Sequence, residues 1–300
     1  MRATFLASWK VRFGLGVLAF FVLLALFGPW LNHLLGLDPQ ANDMSAIAQA
    51  PGGRHPLGTD QFGQDVLAQV IAGARGSMYV GLLGAVVSTT IAILVGVPAG
   101  YYGGRVDGAL NFLTNLFIVM PVLPLIMIVA GYLQGTSLTT IALIIGFFGW
   151  SGGARTLRAQ SMSIANRDFV RAMRMLGERG RRLVFAEVLP HLIGLIASMF
   201  LQAMIGAILA EAGLAFLGIT DPSSISWGTL IQSAQQQSAV LRGMWWWFVP
   251  PALCIALLGT AAAMINFGVD ELANPKLRVA RPVRVSRAER RQAQPAGGTR

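Results

Sequence analysis

Residues 78–102, MYVGLLGAVVSTTIAILVGVPAGYY, decide the fold because they form an unbroken run without a charged side chain. About 20 apolar residues in helical conformation are enough to cross the hydrocarbon core of a bilayer. The run also contains three pairs of small residues spaced four positions apart: Gly81/Ala85, Gly84/Ser88 and Gly96/Gly100. Such pairs allow a neighbouring helix to approach closely. The stretch therefore predicts a tightly packed transmembrane helix.

The composition extends this prediction to the whole chain. Of its 300 residues, 54% are hydrophobic and only 12% are charged, whereas a soluble domain carries about 25% charged residues. The predicted transmembrane helices cover about residues 13–35, 78–102, 109–132, 138–156, 191–213 and 244–268. We expect an all-α, polytopic membrane protein with six transmembrane helices.

The basic residues predict how these helices are oriented. Twenty of the 23 Lys and Arg residues fall in four segments: residues 1–12, the turn 103–108, the loop 157–190 together with Arg155 just before it, and the tail 269–300. Loops rich in Lys and Arg stay in the cytoplasm, so both termini are predicted to be cytoplasmic. The basic segments alternate with apolar runs, a pattern that favours membrane topology over nucleic-acid binding.

The predicted extracytoplasmic segment, residues 36–77, contains apolar residues at helical spacing. They are Phe62, Val66, Leu67, Val70 and Ile71. This spacing predicts a short amphipathic helix lying on the outer surface. An ordinary surface helix and a partner-binding helix both remain open.

Polar residues within the predicted helices are candidates for a solute path. Asn111 and Asn115 share one face of the third helix, which Pro121 and Pro124 should kink. The asparagines could line a path or form a hydrogen bond between helices. The fifth helix contains Gln202 and ends near Glu211, which could bind a solute or a delivery protein, or form an interfacial hydrogen bond.

The long cytoplasmic loop is predicted to be structured. Eight arginines lie between residues 155 and 182, and five residues fall near one helical face: Phe169, Ala172, Met173, Leu176 and Gly180. Gly177 should interrupt this helix, and Leu189-Pro190 should begin the next one. A helix, a break and a second helix on the cytoplasmic face indicate a docking element.

The spacing of Ala172, Gly177 and Leu189-Pro190 resembles the EAA loop of ABC importer permeases, although Arg171, Met173 and Glu187 depart from that pattern. Three further groups of residues resemble the dipeptide/oligopeptide permease family: His55-Pro56-Leu57-Gly58-Thr59-Asp60 with Gly63 and Asp65-Val66-Leu67; Ala210-Glu211-Ala212-Gly213 with Phe216-Leu217-Gly218 and Ser226-Trp227-Gly228; and Asp270-Glu271 with Asn274-Pro275-Lys276-Leu277-Arg278. Together they cover about residues 55–278. The chain thus resembles a permease subunit of the DppC/OppC type, among the binding-protein-dependent transport inner-membrane components.

This resemblance implies the type I permease fold of ABC importers in a bacterial cytoplasmic (inner) membrane, with a permease core over residues 78–268. It implies a translocation path for peptides or similar small polar solutes, formed with a second permease subunit. It also implies two cytoplasmic ABC ATPase subunits, which bind ATP and Mg, and an extracytoplasmic substrate-binding protein. The residues expected to couple to an ATPase are Arg171, Ala172, Arg174, Met175, Leu176, Gly177, Leu189 and Pro190. Those expected at the path or its outer gate are Asn111, Asn115, Gln202 and Glu211.

Other functions remain as alternatives. Relatives in the resembled family carry oligosaccharides, nickel complexes or glutathione. A stand-alone secondary transporter usually needs ionisable residues within its helices, and here charge is confined to helix ends such as Glu211. The sequence contains neither a phosphate-binding Gly-x-x-x-x-Gly-Lys-Ser/Thr loop nor a His-Glu-x-x-His zinc motif. We therefore expect a non-catalytic subunit without a metal or other cofactor of its own. The Arg-rich tail could bind nucleic acid or anionic inner-leaflet lipids, but its Pro and Gly residues favour disorder.

Overall fold

The computed structural model describes residues 8–133, 137–221 and 223–273. Its helices are α1 (Trp9–Leu34), α2 (Val66–Tyr102), α3 (Gly104–Val119), α4 (Val122–Tyr132), α5 (Leu138–Phe148), α6 (Ser151–Ala165), α7 (Asp168–Met175), α8 (Gly180–Leu183), α9 (Leu189–Phe216), α10 (Trp227–Gln236) and α11 (Trp245–Ala273). A π-helical segment, Val184–Val188, joins α8 to α9. The all-α class is confirmed. Most of the predicted tail 269–300 lies outside the described residues, as do the side chains of the motif that begins at Asp270.

Four helical runs are long and apolar enough to cross a membrane: Trp9–Leu34, Val66–Tyr102, Gly180–Phe216 and Trp245–Gly268. The pair α3 and α4, which bends by 81°, could form a fifth span. The apolar helix α5 has 11 residues, about 17 Å at 1.5 Å per residue, which is shorter than the bilayer core. The predicted six spans are consistent with these helices if α5 crosses together with the start of α6.

Helix α2 contacts most of the bundle, as its small residues predict. A Cβ atom built on Gly81 would lie 2.7 Å from Ile208 Cγ1 of α9, and one on Gly84 would lie 2.9 Å from Ala207 Cβ. At the other end of α2, a Cβ on Gly96 would lie 3.0 Å from the Cα atom of Ala154 in α6. Only glycine permits these approaches, so the small-residue pattern acts in helix packing.

The separate amphipathic helix predicted around residues 62–71 is not present. Phe62 lies in a loop, and α2 begins at Val66 and continues unbroken through residue 102. Val66 and Val70 are buried in a core with Trp227, so their apolar face packs against protein rather than on a membrane surface. Gly73 lies within this helix. Its missing side chain makes room for the Trp227 ring, which would lie 3.0 Å from a built Cβ.

Proline divides the third predicted helix more sharply than a kink. α3 ends at Val119, and Met120 is extended, with φ −65° and ψ 133°. A residue that precedes proline is disfavoured in helical conformation, and Pro121 supplies no backbone N–H. The two apolar halves therefore meet at the observed 81° bend. The helix also begins at Gly104, five residues before the predicted boundary.

The α-helix α9 begins at Leu189 with Pro190 in its first turn, as predicted, but it continues a run that is already helical. The chain is already helical from Gly180, and Pro190 lies within a continuous helical run that ends at Phe216. Proline cannot donate the hydrogen bond that a continuing helix requires. The π-helical turn Val184–Val188 directly precedes it, and such turns are a known way to accommodate an interrupted hydrogen-bond ladder.

Replacing Gly81 by valine tests whether close packing on α2 stabilises the fold. We expect a loss of about 1–3 kcal/mol in the free energy of unfolding, because the new side chain overlaps Ile208 and Met204. Thermal unfolding of the detergent-solubilised protein, followed by tryptophan fluorescence, measures the loss. The matched control is Gly16→Val in α1, where no atom lies within 4 Å of a built Cβ. Equal destabilisation by both variants would contradict the packing role.

Candidate functional site

The segment between α6 and α9 contains a short helix, α7, that ends in a well-formed cap. The N–H of Gly177 donates to the carbonyl of Arg174 at 3.1 Å, and that of Glu178 donates to the carbonyl of Met173 at 3.2 Å. Gly177 has φ +82°, a left-handed conformation that glycine adopts without steric cost. These features define a Schellman motif, which fixes the direction of the chain after the helix. The predicted break at Gly177 is confirmed.

One face of α7 anchors it to the bundle. Val170 is fully buried, and Phe169 and Met173 pack against the same hydrophobic core, which includes Tyr101 at the end of α2 and Leu157 of α6. Side chains three and four residues apart share a helix face, which explains why this set points inward together.

The basic side chain of Arg174 also contacts the end of α2. Its guanidinium carbon lies 5.0 Å from the centre of the Tyr101 ring, a distance at which a cation is attracted to an aromatic face. Close by, a Cβ on Gly180 would lie 3.2 Å from the Tyr102 ring. The turn after α7 is therefore held against the last residues of α2.

The opposite face of α7 is exposed. Arg171 and Ala172 are exposed, and Met175 and Leu176 each have 83% of their surface accessible. The single apolar ridge predicted from the sequence is thus divided: Phe169 and Met173 face the core, whereas Ala172 and Leu176 face outward. The predicted ridge also runs past the end of the helix, because α7 ends at Met175, Leu176 is its C-cap and Gly180 belongs to the next helix.

Two of the residues predicted to couple to an ATPase lie outside α7. Leu189 packs against the core around Tyr101, and Pro190 is exposed on α9. Both belong to the long helix that follows the loop, so they do not form part of the exposed turn at residues 171–176.

A second candidate site is a cavity of about 510 Å³ between α2, α4, α5, α6 and α9. Its wall carries no charged side chain, and its polar groups come mainly from Ser88, Thr89, Thr156 and Gln202. The remaining wall consists of aliphatic side chains such as Ile126, Ile145 and Met199 and of five glycines: Gly84, Gly149, Gly152, Gly153 and Gly206. An uncharged, largely apolar wall with a few hydroxyl and amide groups can contact a polar solute without holding it tightly.

The four predicted path residues are not brought together. Asn115 accepts a hydrogen bond from Arg155 Nη2 at 2.8 Å, so it forms the helix-to-helix contact that was the alternative reading. Asn111 lies one turn earlier on α3 and is half-buried. Only Gln202 lines the cavity, where its Oε1 lies 3.5 Å from Asn266 Nδ2. Sequence analysis missed most of the cavity wall because glycine, serine and threonine are also ordinary packing residues in membrane helices.

Glu211 is fully buried at the junction of α9 and α10. Its Oε1 accepts a hydrogen bond from Ser226 Oγ at 2.7 Å. A Cβ on Gly228 would lie 2.9 Å from Glu211 Oε2, so glycine is needed where α10 crosses the carboxyl group. Glu211 therefore joins two helices and is not exposed to the cavity.

The neighbouring tryptophan ties α10 to α2. The indole Nε1 of Trp227 donates to the carbonyl of Val70, and its backbone N–H donates to Ser77 Oγ, both at 3.0 Å. The side chain is fully buried. Each residue of the sequence Ser226-Trp227-Gly228 thus has its own structural role. Ser226 caps α10, Trp227 anchors α10 to α2, and Gly228 allows α10 to cross close to Glu211.

The loop between α1 and α2 is held by a buried polar network. Asp65 caps α2 by accepting from the N–H of Ala68 at 3.0 Å, and its other oxygen lies 2.8 Å from His55 Nδ1. Asp60 accepts from the N–H of Gln64 and from Gln69 Nε2, each at 2.9 Å. Burial raises the pKa of Asp60 above its usual range, and these hydrogen bonds oppose the shift.

Tryptophan also fixes this loop to α11. Trp246 Nε1 donates to the carbonyl of Thr59 at 3.1 Å, and Thr59 Oγ1 donates to the carbonyl of Ala46. Gly58, with φ +71°, faces the Trp246 ring, 2.8 Å from a built Cβ. The residues from His55 to Asp65 therefore build a rigid cap over one end of the bundle.

A bundle of apolar helices with a capped helix at one end, an uncharged cavity and a rigid cap at the other defines a multi-pass membrane protein built for solute passage. The chain belongs to the family described as binding-protein-dependent transport system inner membrane component, whose model matches residues 92–279. Members of this family are transport components and not enzymes, and they are inner-membrane proteins.

Individual relatives match most of the chain. The oligopeptide transport system permease protein OppC of Mycobacterium bovis is 34% identical over 269 residues, 89% of this chain and 91% of the relative. The dipeptide transport system permease protein DppC of Bacillus subtilis is 31% identical over 266 residues, 88% of this chain and 81% of the relative. The OppC protein of Haemophilus influenzae is 31% identical, covering 87% of this chain and 82% of the relative.

Replacing Ser226 by alanine tests the buried link to Glu211. The variant loses the cap on Thr229 N–H and leaves a buried carboxyl group without its donor, so we expect a loss of about 2–4 kcal/mol in unfolding free energy. Thermal unfolding in detergent measures it.

The control is Ser137→Ala, which removes an exposed cap on Thr140 N–H and should cost about 1 kcal/mol. The difference between the two variants isolates the contribution of Glu211. Equal losses would show that Ser226 acts as a helix cap alone.

Proposed function

We propose that this chain is the permease subunit of an ABC importer that carries peptides or similar small polar solutes. Membership of the binding-protein-dependent transport family supports the transporter class. The printed names of relatives at 31–34% identity refer to oligopeptide and dipeptide transport systems, which supports the solute class. Oligosaccharides, nickel complexes and glutathione are the alternative solutes.

The uncharged cavity is the proposed half of a translocation path, completed by a second permease subunit. Ser88, Thr89, Thr156 and Gln202 offer hydrogen-bonding groups, and the glycines leave room for a solute of variable shape. Because this wall makes few specific contacts, selection of the solute falls to an extracytoplasmic substrate-binding protein. The rigid cap formed by residues 55–65 offers that protein a defined surface.

The exposed face of α7 carries the proposed coupling role. Met175 and Leu176 are adjacent apolar side chains, each 83% exposed, on a polar and arginine-rich segment. Apolar side chains exposed together commonly mark a protein interface, and the opposite face of the same helix is anchored in the core. We assign this surface to one of two cytoplasmic ABC ATPase subunits, which would bind ATP and Mg.

In this arrangement the chain transmits motion and performs no hydrolysis. Closure of the ATPase pair would shift α7, and the shift would pass to the helices packed against it. Packed interfaces favour a small number of discrete arrangements, so the path would alternate between inward-open and outward-open states. The positive-inside distribution supports a cytoplasmic position for α7 and for both termini, with the chain in the bacterial inner membrane.

Replacing Leu176 by aspartate should weaken the proposed ATPase contact. An exposed side chain can be changed without loss of fold, whereas a carboxylate placed in an apolar interface must be desolvated. We expect at least about a tenfold loss of ATPase retention when the tagged chain is purified, together with loss of solute import.

The matched control is Leu241→Asp, since Leu241 is 89% exposed but lies on the turn before α11. Wild-type retention in this variant would show that the effect is local to α7. If Leu176→Asp also retained the ATPase and imported solute normally, the coupling assignment would be wrong.

The conformation of Gly177 gives a second test of the same surface. Valine is strongly disfavoured at φ +82°, whereas asparagine tolerates the left-handed region. We therefore expect Gly177→Val to uncouple ATP hydrolysis from import, and Gly177→Asn to preserve coupling. The ratio of solute imported to ATP hydrolysed in proteoliposomes is the measurement, and equal ratios for the two variants would argue against a role for the cap.

A further inference from the structure

A groove separate from the proposed path lies between the last turn of α1 and the first third of α2. Its volume is about 730 Å³. Its α1 wall includes Asn32 and His33, and its α2 wall includes Arg75 and Tyr79. Asp38 lines one end, and the remaining wall is largely apolar, with Pro29, Leu138 and Ile225 among its members.

The position of the groove is that of a membrane interface. Helix α1 has 26 residues, about 39 Å at 1.5 Å per residue, which exceeds a hydrocarbon core of about 30 Å. Its last turn therefore extends into the headgroup region. The exposed Trp30, beside the groove, is the kind of residue that is enriched at this level. This holds whichever way the helix crosses the bilayer.

Asn32 supplies a buried group that lacks a partner. Its side chain is 4% exposed, and its Nδ2 donates to the carbonyl of Ala68 at 3.0 Å. Its Oδ1 is buried and accepts no hydrogen bond from the described residues. A buried acceptor left unsatisfied costs about 1–3 kcal/mol, so a ligand with an N–H or O–H donor would be stabilised there.

The two charged residues of the groove also lack charged partners. Arg75 is exposed and forms no ion pair or hydrogen bond with the residues that the structure describes. Asp38 accepts a hydrogen bond from the N–H of Gln40 at 2.9 Å but has no cation bonded to it in the same part of the chain. A guanidinium group binds phosphate oxygens strongly, and a carboxylate favours an ammonium group.

We propose that the groove binds the headgroup of a phospholipid that carries both a phosphate and a primary ammonium group. Arg75 binds the phosphate, assisted by the imidazole of His33. Asp38 and the Oδ1 of Asn32 accept hydrogen bonds from the ammonium group. The apolar wall receives the first part of an acyl chain. A phosphocholine headgroup lacks N–H donors and would satisfy neither acceptor, and a phosphoglycerol headgroup lacks the cation that Asp38 attracts.

This site is independent of the proposed transport role, because none of its residues lies on α7 or lines the uncharged cavity. The full-length chain, alone and with the proteins that co-purify with it, can be tested by native mass spectrometry in detergent. Phosphatidylethanolamine, phosphatidylcholine and phosphatidylglycerol of matched acyl chains are titrated separately. We expect wild-type protein to retain phosphatidylethanolamine about tenfold better than phosphatidylcholine.

Two variants test the contact to the phosphate and the contact to the ammonium group separately. Arg75→Gln should lower phosphatidylethanolamine retention about tenfold through loss of the phosphate contact. Asp38→Asn keeps an oxygen for Gln40 N–H but removes the charge, so it should reduce the preference for ethanolamine over choline. The matched control Arg54→Gln changes an exposed arginine outside the groove and should bind lipid like the wild type.

Several results would overturn the proposal. Equal retention of the ethanolamine and choline lipids by the wild type would exclude headgroup recognition. Equal effects of Arg75→Gln and Arg54→Gln on lipid retention would show that Arg75 acts only as general surface charge. Free O-phosphoethanolamine provides the last arm: if it displaces the lipid completely at low micromolar concentration, the groove recognises a soluble solute and not a membrane lipid. Weak or no displacement supports the lipid.

Discussion

Close packing along α2 is the constraint on which the rest of the structure depends. Within a bilayer, apolar side chains gain little from leaving lipid for protein, so helices associate through close contact and buried hydrogen bonds. Helix α2 supplies these contacts over 37 residues. Its N-terminal part packs with α1, α9 and α10 around Trp227, its middle packs with α5 around Val80, and its C-terminal end packs with α6 and α8 around Tyr101.

The same constraint explains where polar groups are placed. Several buried polar groups near the N-terminal end of α2 have specific partners: Asp65 caps the helix, Ser77 accepts from Trp227, and the backbone carbonyl of Val70 accepts from its indole. Ser161 of α6 similarly donates to the carbonyl of Val97 at 2.9 Å. Hydrogen bonds of this kind add direction to contacts that glycine and alanine make possible. They fix how far each neighbouring helix can slide along α2.

Much of this fold could be predicted because the relevant signals are local. A run without charge identifies a membrane helix, Pro121 ends one, and Gly177 permits the left-handed turn that closes α7. Other features depend on residues distant in sequence. The sequence predicts a surface helix at the start of α2 because its buried partner, Trp227, is more than 150 positions away. The π-helical turn before Pro190, which extends the helical run back to Gly180, leaves no clear trace in residue type.

The candidate site was harder to predict for a related reason. The sequence indicates polar side chains such as Asn115 and Glu211 as candidates, but they accept hydrogen bonds from Arg155 and Ser226, respectively. The cavity wall consists instead of glycines, small hydroxyl residues and aliphatic side chains, which have the same composition as a helix-packing surface. Only the three-dimensional arrangement shows which of these residues face a neighbouring helix and which face open space. A cavity lined in this way therefore has little signature in a single sequence.

The two ends of α2 give the proposed coupling a physical route. At the C-terminal end, Arg174 lies over Tyr101 and Val170 is buried beside it. At the N-terminal end, Trp227 joins α2 to α10, which Ser226 joins to Glu211 of α9. Two of the helices so connected, α2 and α9, also form walls of the uncharged cavity. A displacement of α7 would therefore act on the cavity through rigid elements already in contact, and the glycines between α2 and α9 would set how far the two walls can move before their backbones collide.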